Sequence, residues 1–351
     1  MLSTKSLRLP AEWEAHESVW VAWPSDRKLW GEDGIEKVRQ EFEALVRAIS
    51  SCKSNQNPHA ERIELLCRTE EDEIEVKKRF SCFDLRIHRL PYGDIWCRDT
   101  LPIVLVGEKG ERASLLFRFN GWGEKYDLPG DREVGQKVAQ RLGFPIIECA
   151  LTLEGGAIES DGQGTILTTR NCLLHPKRNP GLSEKEIEKT LLENLGASKV
   201  IWLEGCLAND HTDGHIDTIV RFVAPGVVVC MEARSSEDPN RETLRSILTQ
   251  LKGVRDAQGR VLEVWTIPSP GHIRGIDGST LPASYVNFYI SNCHLIVPTY
   301  GSPWDEEAVQ TMQRLCTHRK VVGLSAISIL EGGGAFHCIT QPVPQGTPYG
   351  G

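Results

Sequence analysis

A chain of 351 residues with 40% hydrophobic and 25% charged residues can enclose a sizeable core, as one large domain or two ordinary ones. The formal net charge is −8 and no basic stripe is present, which argues against a nucleic-acid partner. The longest apolar runs, such as Val227-Val228-Val229-Cys230-Met231, are far too short to span a bilayer, so no membrane partner is expected.

The opening Met1-Leu2-Ser3-Thr4-Lys5 lacks the apolar stretch of a secretory signal. Eleven cysteines are scattered without a single Cys-x-x-Cys pair, which argues against a disulfide framework and against a structural zinc site. A reducing cytoplasm is the expected location. No Pro- or Ser-rich linker divides the chain, so residues 1–351 read as one domain.

In chain order, five segments read as helix followed by strand. The first runs from Glu71 to Phe80 and leads to Leu85-Arg86-Ile87. The second spans 132–142, with Val134, Val138 and Leu142 on one face, then Gly143 and the strand Pro145-Ile146-Ile147. In the third, Ser183 caps a helix and Glu186 completes a capping box. Ile187, Leu191, Leu192 and Leu195 follow, Gly196 stops the helix, and Lys199–Leu203 is a buried-strand run. The fourth starts at Asp238-Pro239, carries Leu244, Ile247, Leu248 and Leu251, and passes to a strand from Val261 to Ile267. The fifth spans 304–317 before Val321-Val322-Gly323-Leu324. This alternation predicts an α/β protein.

Each unit is followed by a loop of unusual composition. The loops contain Trp96-Cys97-Arg98-Asp99, then Leu153-Glu154-Gly155-Gly156, then Asn209 to Asp217, then Ser269 to Gly275, and last Leu330-Glu331-Gly332-Gly333-Gly334 running into His337-Cys338. From Asp99 through Glu154, His215 and His272 to Cys338 the spacings are 55, 61, 57 and 66 residues. A recurring unit of this length suggests modules around a common axis, with equivalent loops converging on one side. Loops held by such a scaffold are where chemistry is carried.

A loop carboxylate, histidine or glycine is ordinarily a turn former or cap, and Cys338 alone would read as a small buried hydrophobe. Recurrence at one structural position changes that reading. Gly214 to Val220 reads as the start of a strand, so His215 and Asp217, two apart, would face the same cavity. His211 and His215 at i, i+4 leave a zinc pair open as an alternative, although Gly214 makes a poor helix. Carboxylates around a thiol raise its pKa and weaken it as a nucleophile. That arrangement becomes useful when the substrate brings its own positive charge. A planar guanidinium does so, because its N–H groups match carboxylates in pairs.

The stretches "WCRDTLP", "LEGGAIESDGQGT", "DHTDGHID" and "EGGGAFHCITQPVP" resemble, in order and spacing, the motifs of agmatine deiminases and the porphyromonas-type peptidylarginine deiminases. "WVAWPSD" and "FNGWGEKYD" extend the resemblance over most of the chain. It implies the pentein fold, or α/β propeller, with five ββαβ modules around a pseudo-fivefold axis. It also implies Cys338 as nucleophile, His215 as general acid and base, and Asp99 with Asp217 as the pair gripping a guanidinium. Glu154 and Trp96 would line the pocket, and Asp213, His211, Gly333 and Gly334 would complete the substrate site. The implied reaction is guanidine hydrolysis through a covalent thiouronium, with agmatine the favoured substrate and N-carbamoylputrescine and ammonia the products, as in putrescine and polyamine metabolism. Peptidylarginine deimination and amidino transfer are the alternatives. No metal or organic cofactor is implied, the partner is a small cationic guanidine, and a homodimer is expected. Two departures bear on the pocket's far end: Ala335-Phe336 stands where many agmatine deiminases have Asn-Ile, and His211 where many carry an acid.

Overall fold

Ser183 and Glu186 form the reciprocal capping box that starts the helix Glu184–Leu195, and Gly196 ends it in the left-handed conformation. The helix buries Ile187, Leu191 and Leu195, and the strand Lys199–Leu203 then runs parallel to Thr165–Thr169. A third strand, Ile158–Ser160, pairs antiparallel on the other side of Thr165–Thr169. The result is an antiparallel hairpin, a helical crossover and a parallel strand. The computed structural model describes residues 7–51 and 60–348, and it repeats this arrangement five times. The segment Met1–Lys5 lies outside the described residues.

The second sheet is built on Ile103–Gly107, Glu111–Arg118 and Ile146–Thr152, crossed by the helix Asp131–Leu142. Two short strands extend it: Leu7–Arg8 antiparallel to Ile103–Gly107 and Thr347–Pro348 parallel to Glu111–Arg118. The fourth is Val220–Ala224, Val227–Glu232 and Glu263–Pro268, with the helix Arg241–Leu251. The fifth is Tyr289–Ile290, His294–Thr299 and Lys320–Ser325, with the helix Asp305–Leu315. The first sheet brings a late strand, Gln341–Pro344, against an early one, His16–Ala22. Gln341–Pro344 pairs antiparallel with His16–Ala22, which pairs parallel with Arg62–Cys67.

The expectation for this first sheet needs correcting. Its crossover helix is Gly34–Ser50, which the reading above passed over although Ile35, Val38, Phe42, Leu45, Val46 and Ile49 form one buried face. The unit taken as the first, now Glu70–Arg79 and Leu85–Arg89, is an addition whose strand pairs parallel with Arg62–Cys67. A hydrophobic pattern alone does not distinguish a module from such an appended helix and strand.

Among the described residues nine cysteines are free thiols and Cys293 is disulfide-bonded, contrary to the expectation of a chain without disulfides. Among the described residues no helix is long and apolar enough to cross a membrane. Beneath the first sheet, Phe42 is fully buried, edge-on to Trp23 at 5.5 Å and to Phe80 at 6.5 Å between ring centroids. Phe42→Ala should therefore cost about 3–5 kcal/mol in denaturant unfolding. A loss below about 1 kcal/mol would contradict this packing.

Candidate active site

The junctions between sheets share one design. Immediately before the antiparallel inner strand of each module, the chain presents a polar side chain to the centre. Asp99 does so before Ile103–Gly107, Glu154 before Ile158–Ser160, and Asp217 before Val220–Ala224. Asn287 precedes Tyr289–Ile290, and Cys338 precedes Gln341–Pro344. The fourth loop of the sequence reading is thus replaced. His272 is exposed and hydrogen-bonded to Thr280 at 2.9 Å, in an excursion at 269–280 that comes before the true junction. Asn287 occupies the equivalent position.

His215 and Asp217 do reach one place, though by a different local structure. His215 is extended, Ile216–Thr218 form a short 3-10 turn, and the strand begins only at Val220. The convergence is measured at Gly156. A Cβ there would lie 2.7 Å from His215 Nδ1, 2.9 Å from Asp217 Oδ2 and 3.0 Å from Asp99 Oδ1. Any side chain would fill the space among the three groups, which is why glycine stands at this position.

Each group is held from a different module. Asp99 accepts the Trp122 indole N–H at 2.8 Å and the Gly156 N–H at 3.0 Å. Trp122 is left-handed, at φ 55°, a conformation that costs a bulky residue on the order of 1–2 kcal/mol. Asp217 Oδ2 lies 2.6 Å from His337 Nδ1, and the Cys338 thiol is 3.6 Å from the same oxygen. Asn287 donates to Cys338 Sγ at 3.1 Å while its own oxygen accepts the Ala335 and Cys338 N–H groups. Both oxygens of Glu154 accept from Arg178 Nε, and one lies 3.6 Å from His215 Nε2. Arg178, Asn287, His337 and Trp122 were missing from the candidate list. Trp122 and His337 sit in stretches that carried the resemblance, "FNGWGEKYD" and "EGGGAFHCITQPVP"; Arg178 and Asn287 do not.

Placement varies for the remaining candidates. Trp96, His211, Gly333 and Gly334 line a cavity of about 530 Å³ with Asp99, Trp122 and Cys338. A Cβ on Gly334 would lie 2.7 Å from Trp96 and 3.0 Å from Cys338 Sγ, so the glycine run lets backbone pass between indole and thiol. Asp213 lies outside this lining, with its oxygens taken by Lys125 at 2.6 Å and Arg178 at 2.7 Å. Glu154, His215 and Asp217 are fully buried and also outside the lining, behind Asp99 and Cys338. His211 does not form a helical pair with His215, because the chain there is irregular and His211 Nδ1 meets the Tyr126 hydroxyl at 2.9 Å. Glu154, Cys172 and His215 lie close enough together to hold a metal, but Arg178 already engages both Glu154 oxygens and adds a positive charge there.

Burial and neighbouring charge set the proton distribution. Burial pushes the Cys338 thiol well above its ordinary range, and Asp217 and Asp99 push it further. Asp99 is raised, chiefly by burial, against the pull of His215. Burial alone would make His215 less basic, but Asp99, Cys172 and Glu154 outweigh it and hold its pKa well above the usual histidine range. In Asp217 burial is outweighed by His337 and His215, and the carboxyl stays below its ordinary value. The unliganded site therefore combines a protonated thiol, an imidazolium and buried carboxylates. Both nitrogens of His215 and Oδ1 of Asp217 are buried without a hydrogen-bond partner. Buried polar atoms left open in this way mark a place for a ligand.

The porphyromonas-type peptidyl-arginine deiminase family model matches residues 8–344. The chain belongs to that family. It is 37% identical to a Marinomonas sp. protein named "Putative agmatine deiminase", with 96% of this chain and 94% of the relative covered. The solved agmatine deiminase of Enterococcus faecalis superposes with a TM-score of 0.90 at 30% identity, covering 98% of each chain. An amidinotransferase from Microseira wollei, at 14% identity and a TM-score of 0.55 over 98% of this chain and 99% of that one, shares the fold alone. The five repeated sheets are the pentein fold.

The electrostatics give a direct check on the thiol. Alkylation of Cys338 by neutral iodoacetamide should be slow at pH 7.5 and keep rising beyond pH ~9 without levelling, because the thiolate forms only above the ordinary thiol range. Asp99→Asn removes one negative neighbour and should move the profile to lower pH. A plateau below pH ~8 in the parent protein would contradict the buried, acid-flanked thiol.

Proposed function

We propose that this guanidine-modifying hydrolase is an agmatine deiminase that converts agmatine and water to the ureido product and ammonia, with Cys338 as the nucleophile. The observation that carries the assignment is the thiol itself. Cys338 Sγ faces the cavity 3.6 Å from Asp217 Oδ2, beside Asp99 and His215, in a field that suppresses its ionisation unless a cation arrives. The agmatine deiminase relatives favour agmatine among guanidines.

In this reading Asp99 and Asp217 accept the guanidinium N–H groups, and the substrate charge offsets theirs. The thiol then loses its proton to solvent, and sulfur attacks the central carbon. His215 carries a proton and donates it to the nitrogen that departs, breaking the C–N bond and releasing ammonia. The resulting thiouronium remains bonded to Cys338. Now neutral, His215 takes one proton from water, and the hydroxyl oxygen adds to the same carbon. The C–S bond breaks as the remaining hydroxyl proton passes to solvent, returning the thiolate and releasing the neutral ureido compound. Asn287, which donates to sulfur at 3.1 Å, supports the anion in both steps. Every proton has a named carrier, and the scheme calls on no redox or metal step. Action in a reducing cytoplasm, where the product would feed putrescine formation, rests on the scattered thiols alone and has to be reconciled with the disulfide at Cys293.

Cys338→Ala should lower ammonia release from agmatine by at least about 10³-fold while leaving the fold intact by circular dichroism. Ureido product should form in step with ammonia in the parent protein, as read by mass spectrometry. Unchanged release from the variant would refute the nucleophile. A new guanidine in place of ammonia, when an amine is supplied, would make the protein an amidinotransferase. Faster turnover of free arginine or of a peptide ending in arginine would overturn agmatine.

A further inference from the structure

The cavity that holds Cys338 continues outward past Trp96 and Trp30 to a mouth formed by Leu29, Ile276 and Glu331. Three carboxylates line it, and only one is open to a ligand there. Asp99 is at the floor, bonded to Trp122 and Gly156. Asp94 has an indole N–H on each oxygen, from Trp30 at 3.0 Å and Trp96 at 2.8 Å, and burial pushes its pKa to about 6. Glu331 receives only the Ile276 backbone N–H, at 3.1 and 3.4 Å to its two oxygens, and no cation lies within ion-pair distance among the described residues.

Glu331 is also held in place. It caps the short helix Ile327–Leu330, whose Ser328 and Ile329 N–H groups are fixed by the Glu41 carboxylate at 2.9 Å. The residues that follow it, Gly332 to Gly334, lead directly to Cys338, so the carboxylate and the thiol belong to one segment. One side of the cavity is apolar, with Trp96 and Trp30 at ring centroids 6.1 Å apart and Ile276, 89% exposed, at the rim, while Tyr126, His211 and Thr212 also line it. An aromatic and aliphatic passage ending in a half-buried carboxylate suits a methylene chain that ends in a cation.

We propose that Glu331 binds the ammonium at the far end of the substrate and selects a guanidine with an amine tail over one bearing a carboxylate. This assignment rests on the guanidine-hydrolysing reading above and adds the residue that reads the tail. Lys28, the other charge at the mouth, is exposed and in water, where its field is weak. Glu331 is half-buried, oriented by the Ile276 N–H and not offset by an ion-pair partner among the described residues.

The test separates tail from head. Calorimetry on the Cys338→Ala protein compares agmatine with n-butylguanidine, which keeps the guanidinium and replaces the ammonium tail by an alkyl end. Agmatine should bind more tightly. Adding Glu331→Gln should weaken agmatine about tenfold (~1.4 kcal/mol) and butylguanidine less than about twofold. Glu331→Asp, which keeps the charge, should recover part of the loss. Equal weakening of both ligands, no weakening of agmatine, or equal affinity for the two in the parent would overturn the assignment. So would a gain in agmatine affinity from Lys28→Gln larger than the loss from Glu331→Gln. Hydrolysis of no guanidine by the native protein is a different failure, and it would fall on the catalytic reading instead.

Discussion

The centre of this protein is a set of ionised groups kept away from water, and their mutual pairing constrains the rest of the structure. Glu12 is buried against Arg98 at 3.0 Å, Arg221 at 3.1 Å and His337 at 2.8 Å. Arg221 in turn holds Glu159 at 2.7 Å and donates to the Phe288 carbonyl at 3.0 Å. Those residues come from or next to the inner strands of all five sheets. Removing one partner would leave a buried charge uncompensated, at a cost of about 3–5 kcal/mol, so the modules are obliged to meet in one register. The same layer positions the loop above it: Arg98 N–H donates to the Cys338 carbonyl, and His337 bridges Glu12 and Asp217.

The catalytic floor follows the same logic but stops short of full pairing. Glu154 is satisfied by Arg178 and Asp99 by an indole and a backbone N–H, whereas Asp217 Oδ1 and the two His215 nitrogens are left open. In the proposed reaction a planar cation would complete what the fold leaves unfinished. On the proposed reading, a thiol whose ionisation is opposed by burial and by two carboxylates acts as a nucleophile because the group it would attack also relieves its electrostatic burden. The left-handed Trp122 and the glycine at 156 are local costs that only this constellation accounts for.

Much of this was legible in the sequence, for identifiable reasons. Helix–strand periodicity marked four of the five modules, because amphipathic faces such as Ile187, Leu191 and Leu195 are local signals. Cys338, His215, Asp217, Asp99 and Trp96 stand in short motifs, and the structure brings them to one centre. What escaped notice acts across distance. Asn287 has no motif of its own, and its role appears only when Cys338 folds against it from another module. Arg178 reaches Glu154 and Thr212 from the loop after a short helix, and His337 is defined by Glu12 near the opposite end of the chain. The fourth junction was misplaced because the 269–280 excursion carries a histidine and glycines that mimic a functional loop, while the true junction carries no charged residue or histidine and only Asn287, Ser284 and Tyr285 as polar side chains.

The central claim, that positive charge on the incoming carbon is what makes Cys338 reactive, is most directly tested by comparing alkylating agents. Rates of Cys338 modification at neutral pH would be measured with 2-chloroacetamidine, a planar cation, and with neutral chloroacetamide of the same shape. The account predicts that the cationic reagent is faster by at least about 10²-fold and that Asp99→Asn removes most of that preference. Equal rates for the two reagents, or a preference that survives loss of the Asp99 charge, would contradict it.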